Sequence, residues 1–110
     1  MNQVVPGIEF YLVGGHSRGQ MILRVHTKRG WILLASDAVH LYEEVETERP
    51  FAIFHDLQKM IEGYRISVQL AGGIDRLISG HDPLVTDWYP AVSNDLKGKV
   101  LELNLKPEMN

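Results

Sequence analysis

An α/β fold, with a mixed sheet and one main helix, is the architecture this sequence predicts, and three observations predict it. Short runs rich in β-branched and aromatic residues recur at 8–13 (IEFYLV), 20–27, 31–36 and 74–79, the composition of strands. Residues 57 to about 70 instead space their apolar side chains by three and four, the period of a helix with one buried face. A polar triplet follows three of the strand candidates: Gly15-His16-Ser17, Ser36-Asp37-Ala38 and Gly80-His81-Asp82. In layered α/β proteins the carboxyl ends of neighbouring strands lie together, so residues distant in sequence converge on one crevice.

Taken in order, residues 1–7 are polar around Pro6-Gly7 and read as a turn or lead-in. After the first strand, Gly14-Gly15 lets the backbone turn sharply and present His16. The second and third strands, 20–27 and 31–36, are joined by Thr27-Lys28-Arg29-Gly30, polar and glycine-containing as a hairpin connection should be. The third is apolar nearly throughout, as a strand covered on both faces is. Residues 41–50 carry Glu43, Glu44, Glu46 and Glu48 and read as a solvated, irregular loop. Asp56 caps the helix. Its stripe is Leu57, Met60, Ile61, Tyr64, Val68 and Ala71, and Gly72-Gly73 ends it. Residues 74–79 form a further strand, and 99–105 (KVLELNL) alternate as a final edge strand. The outcome is an incomplete α/β layer pattern in a single partial domain, 1–110.

Composition narrows the function classes. A chain of 110 residues hides roughly two-thirds of its unfolded surface, and 45% hydrophobic with 23% charged residues is ordinary for a soluble globular protein. Net charge is −3 and the basic residues are scattered, which excludes the concentrated basic face of a nucleic-acid binder. No apolar run approaches the ~20 residues of a membrane span, and the N-terminus lacks a signal-peptide layout. Cysteine is absent, so disulfides and thiolate metal sites are excluded and a cytoplasmic location is expected.

Two imidazoles and a carboxylate gathered at strand ends suit a divalent transition metal such as zinc. His16, Asp37 and His81 can supply one imidazole to each of two metals and a carboxylate between them, a pair that shares a hydroxide and polarises the carbonyl it attacks. Of the other histidines, His26 reads as a surface residue and His55 as part of the helix start.

The stretches GGHSRGQ, LLASDAV and SGHDPLV resemble the last three metal-binding motifs of the metallo-β-lactamase fold, in order and at similar spacing. The wider match runs from VVPGIEFYLVGGHSRGQ through SDAVHLYEEVETERPFAIFHDLQKMIEGYR to SGHDPLVTDWYP. It resembles the lactonase-like branch, which includes enzymes that open N-acyl homoserine lactones. The resemblance implies the C-terminal half of an αββα sandwich and a complete site with two zinc ions. In that site His16 binds one metal, Asp37 bridges, and His81 binds the other. It also implies a small-molecule lactone or ester substrate attacked by a metal-bound hydroxide.

Two departures qualify that implication. The family's first motif, His-x-His-x-Asp-His, does not occur in these 110 residues. Each zinc wants at least three protein ligands, and one histidine per metal plus a shared carboxylate makes two. Weak or absent zinc binding and negligible activity are therefore expected of the chain alone, with an N-terminal half, a complementing chain or a homodimer supplying the rest. In addition, a tyrosine that assists lactone opening in the family stands three residues after the bridging aspartate. Here that position is His40, whose imidazole can hydrogen-bond a carbonyl or leaving group, and Tyr42 is the nearby alternative. Two other functions remain open: a non-catalytic binding or assembly module, and a thioester hydrolase fragment of the glyoxalase II type.

Overall fold

The computed structural model describes residues 2–109. Five strands form one mixed sheet in the order β1-β2-β3-β4-β5: β1 (Asn2–Val5), β2 (Ile8–Leu12), β3 (Met21–Thr27), β4 (Gly30–Ser36) and β5 (Leu77–Ser79). The first four are antiparallel neighbours, whereas β5 runs parallel to β4. It follows that β2, β4 and β5 point the same way. Their carboxyl ends, each followed by one polar triplet, share one edge of the sheet.

The main helix, α2 (Leu57–Ala71), begins where Asp56 accepts the Lys59 N–H and ends where Gly72 turns left-handed. It packs on the sheet face that carries Ile22, Leu33, Ala35 and Leu77, which join Met60, Tyr64 and Ala71 in one core. The buried positions on α2 are Met60, Gly63, Tyr64, Ser67 and Ala71, so the buried stripe is rotated from the predicted one. Leu57, at the helix start, is exposed, and the small residues Gly63 and Ser67 take inward positions in its place.

Pairing register makes the opposite face apolar as well. Phe10, Leu23, Leu34 and Ile78 form one row across four strands, and Ile8, Val25 and Ile32 form another. Ile32 and Ile78 are buried, whereas Leu12 and Met21 at the margin are 67% and 47% exposed.

Four local expectations are corrected. The lead-in contains a strand, β1, paired with β2 across Pro6-Gly7; four exposed residues offered no alternation to recognise. The acidic loop contains a short helix, α1 (Tyr42–Thr47), whose Tyr42 and Glu44 are buried; six residues are too few for a periodic signal. Residues 74–79 divide into a 3-10 turn (Ile74–Arg76) and β5. The predicted edge strand at 99–105 does not join the sheet, because Leu101 makes only an isolated bridge to Ala91. Arg29 instead clamps that segment, donating to the carbonyls of Leu103 and Asp75 and to the Tyr89 hydroxyl. A further short helix, α3 (Leu84–Trp88), follows β5.

Candidate metal centre

Each triplet is held by a different local device. In the loop after β2, Gly14 and Gly15 take φ of +66° and +94°, where a side chain is strained. The Gly15 carbonyl accepts the N–H groups of His55 and Asp56 at 2.8 and 2.9 Å, fastening the loop to the start of α2. His16 Nδ1 lies 3.1 Å from the Ile53 carbonyl. A carbonyl only accepts, so this nitrogen carries a proton, and in the neutral ring Nε2 is then the nitrogen left to ligate.

At the end of β4, Ser36 adopts φ +50°. A non-glycine residue in that region costs about 1–2 kcal/mol, and the turn it makes presents Asp37. Backbone bonds from Gly80 N–H to the Val39 carbonyl (2.9 Å) and from His81 N–H to the His40 carbonyl (3.0 Å) then zip the β5 exit onto the β4 exit. Gly80 permits this fit, since a Cβ there would fall on the Ser36 carbonyl oxygen.

These devices bring His16, Asp37 and His81 together, and His40 with them. His81 Nε2 lies 2.7 Å from Asp37 Oδ1, His16 Nε2 lies 3.6 Å from Asp37 Oδ2, and His40 Nε2 lies 3.8 Å from Asp37 Oδ1. The hydrogen bond from His81 holds the Asp37 carboxyl below its ordinary value, opposed by partial desolvation and aided by His16 and His40. One donor atom each from His16, Asp37 and His40 lies within 4.8 Å of the others. Two imidazoles and an anionic carboxylate are a donor set that fits zinc.

His40 is 4% exposed, stacked against Phe51 with ring centroids 4.2 Å apart and near His81 at 5.3 Å. Behind it lies Glu44, also buried, whose Oε1 is 3.6 Å from His40 Nδ1. Glu44 accepts the Tyr64 hydroxyl at 2.8 Å and the Leu41 N–H. Sequence reasoning placed Glu44 in solvent; its spacing of four from His40 was the available signal.

Tyr42 is placed elsewhere. Its hydroxyl donates to the Leu77 carbonyl at 2.6 Å, its ring packs on Trp88, and burial pushes its pKa up to about 12. Asp82 accepts the Leu84 N–H at the start of α3 and the Tyr42 N–H at the start of α1. His26 is exposed and edge-on to Trp31, and His55 meets Arg18 at 3.3 Å.

The chain is 43% identical over 53 residues to an N-acyl homoserine lactonase of Bacillus cereus, covering 47% of this chain and 21% of that protein. Its structure superposes on an N-acyl homoserine lactone hydrolase carrying N-hexanoyl-L-homoserine at its catalytic metal centre. The TM-score is 0.67 at 30% identity, over 78% of this chain and 35% of that one. The chain carries part of the metallo-β-lactamase fold, in its lactonase-like form. An AiiA variant of B. thuringiensis with N-decanoyl-L-homoserine at its active site matches over the same shares, at TM-score 0.67 and 30% identity. AidC, a dizinc quorum-quenching lactonase, shares the fold at TM-score 0.59 and 17% identity, over 74% of this chain and 29% of its own. No family model matches. The chain therefore spans about a third of these structures and a fifth of the curated relative. Among the described residues, no helix is long and apolar enough to cross a membrane.

Proposed function

We propose that these residues are the C-terminal part of a metal-dependent hydrolase of lactone or ester bonds, completed by an N-terminal half or a complementing chain that carries His-x-His-x-Asp-His. The convergence of His16 and His81 on the two sides of Asp37 is the observation that carries the proposal. When bound, two zinc ions supply an activated water and polarise the carbonyl it attacks. His16 and His81 each offer one imidazole, and Asp37, kept ionised by its surroundings, offers an oxygen to each side. His40 faces the same space and is the group placed to hydrogen-bond a substrate carbonyl or leaving oxygen. Tyr42, with its hydroxyl committed to Leu77, serves as packing in this scheme. The apolar sheet face opposite α2, exposed at Leu12 and Met21, supports a second layer seated on it, as a complementing chain or a second copy would be. That face also favours one competing function, a non-catalytic assembly module in which the second copy is the whole purpose.

The test mixes the chain with a separately produced N-terminal half and zinc, then follows hydrolysis of an N-acyl homoserine lactone and a simple ester. Turnover is expected in the mixture, absent from either piece and abolished by Asp37→Ala. A mixture that stays inactive beside an active fused control would sink the two-chain scheme. An inactive fused control would sink the hydrolase itself and leave the assembly module, to be read from solution mass.

A further inference from the structure

We infer that these 110 residues hold one divalent transition-metal ion by themselves, with His40 as the third protein ligand beside His16 and Asp37. This goes beyond the proposed hydrolase, which takes its metals through His16, Asp37 and His81 and needs the remaining half of the site. Without first-motif histidines in these residues, His40 Nε2 is available to the metal rather than to a substrate.

The spacing of the donors is the first ground. A tetrahedral zinc with bonds of ~2.0–2.1 Å separates its donors by roughly 3.3 Å. The distances here run to the two carboxylate oxygens, 3.6 Å from His16 Nε2 to Asp37 Oδ2 and 3.8 Å from His40 Nε2 to Asp37 Oδ1, and one donor atom from each of the three residues lies within 4.8 Å of the others. Both distances are too long for hydrogen bonds and within a few tenths of an ångström of a coordination edge. His81 contrasts with them: it closes to 2.7 Å on Asp37 Oδ1, using the ring nitrogen that ligation would need, and its side chain is 63% exposed.

The far side of each ring is the second ground. A ligating imidazole needs its other nitrogen held by an acceptor, which fixes the tautomer and raises the basicity of the donor. For His16 that acceptor is the Ile53 carbonyl. For His40 the nearby acceptor is Glu44, a buried carboxylate pinned by Tyr64 and the Leu41 N–H. His40 Nδ1 is buried and has no hydrogen-bond partner, with Glu44 Oε1 at 3.6 Å. A buried acid aimed at one nitrogen of a buried histidine, while the other nitrogen faces a carboxylate and a second imidazole, fits a carboxylate–histidine–metal chain. Three protein ligands leave a coordination position open to water.

The test uses the full chain, stripped with a chelator and titrated with cobalt(II), then with zinc in competition. One equivalent is expected, with visible absorption of a four- or five-coordinate ion and the same stoichiometry at protein concentrations tenfold apart. Ring-nitrogen NMR of the zinc-loaded wild type should shift Nε2 of His16 and His40 far more than that of His81, which feels the metal only through its hydrogen bond to Asp37, and leave His26 and His55 in place. That spectrum needs no variant, so a folding defect in buried-site substitutions does not blur it. Glu44→Gln should weaken zinc binding 10–100-fold while leaving the fold intact by circular dichroism. A chain that takes up no cobalt at equimolar concentration overturns the inference. So do shifts at His81 or His55 with His40 unmoved, or a metal bound only between two copies. None of these outcomes touches the proposed hydrolase, whose own failure is an inactive fused control.

Discussion

Gly15→Ala isolates the contact that fastens the His16 loop to the main helix. Gly15 takes φ +94°, and an added Cβ would stand 2.8 Å from Met60 Cα, 2.9 Å from Met60 N and 3.2 Å from the Lys59 carbonyl carbon. All three are backbone atoms in the first turns of α2, so no side chain can swing aside. A left-handed alanine costs about 1–2 kcal/mol, and forcing a methyl against fixed atoms costs about 1–3 kcal/mol. Together they remove about 2–5 kcal/mol from a domain whose whole stability is of order 5–15 kcal/mol. With a urea m-value of about 1–3 kcal/mol/M, the unfolding midpoint should fall by about 1 M or more. Gly19→Ala, four residues on in the same loop, is the control. Nothing lies within 4 Å of its Cβ, so the change should stay within about 0.5 kcal/mol. Equal midpoints for the two variants would refute the reasoning, because the claimed close approach is what separates them.

Gly80→Ala should lower stability by about 1–3 kcal/mol and pull His81 off Asp37, since its Cβ meets the Ser36 carbonyl; a thermal melt with His81 ring NMR checks both, and an intact hydrogen bond would count against it. Tyr64→Phe removes the hydroxyl that donates to buried Glu44 at 2.8 Å and should destabilise by about 1–3 kcal/mol, the cost of taking a partner from a buried acceptor. A loss under about 0.5 kcal/mol in urea would show that Glu44 does not need it. Burial raises the pKa of Tyr42 to about 12 and also raises those of Tyr64 and Tyr89. The folded state thus binds protons more tightly than the unfolded one. Their stabilising contribution is complete below pH 10, the ordinary tyrosine value, and is lost as pH climbs towards 12. Absorbance at 295 nm should show these tyrosines ionising together with unfolding; ionisation well before unfolding would contradict the packing described.

How much was legible depended on the length of the local signal. Asp56, the three-and-four spacing after it and Gly72 marked α2 to within a residue of its end, because capping and amphipathicity act over neighbouring turns. The hairpin through Lys28-Arg29 and the strand exits before His16, Asp37 and His81 were readable for the same reason. Helix α1 was not, because its two buried side chains, Tyr42 and Glu44, are turned inward by partners 35 and 20 residues away, Leu77 and Tyr64. The alternation at 99–105 misled because a strand pattern needs a free sheet edge to pair with, and Arg29 draws that segment elsewhere.

Alternation, capping and the triplets after the strands determined, from the chain of residues alone, a mixed sheet with one long helix and three polar exits at one edge. Those properties arise between residues a few positions apart, where the sequence states the physics directly. Which donors meet was decided only by the tertiary structure. Glu44 and Tyr64 stand behind His40, Ile53 behind His16, and His81 rather than His40 closes the short hydrogen bond to Asp37. Each of these depends on how α1 and α2 pack against the ends of β4 and β5, and packing distance is not written in local periodicity.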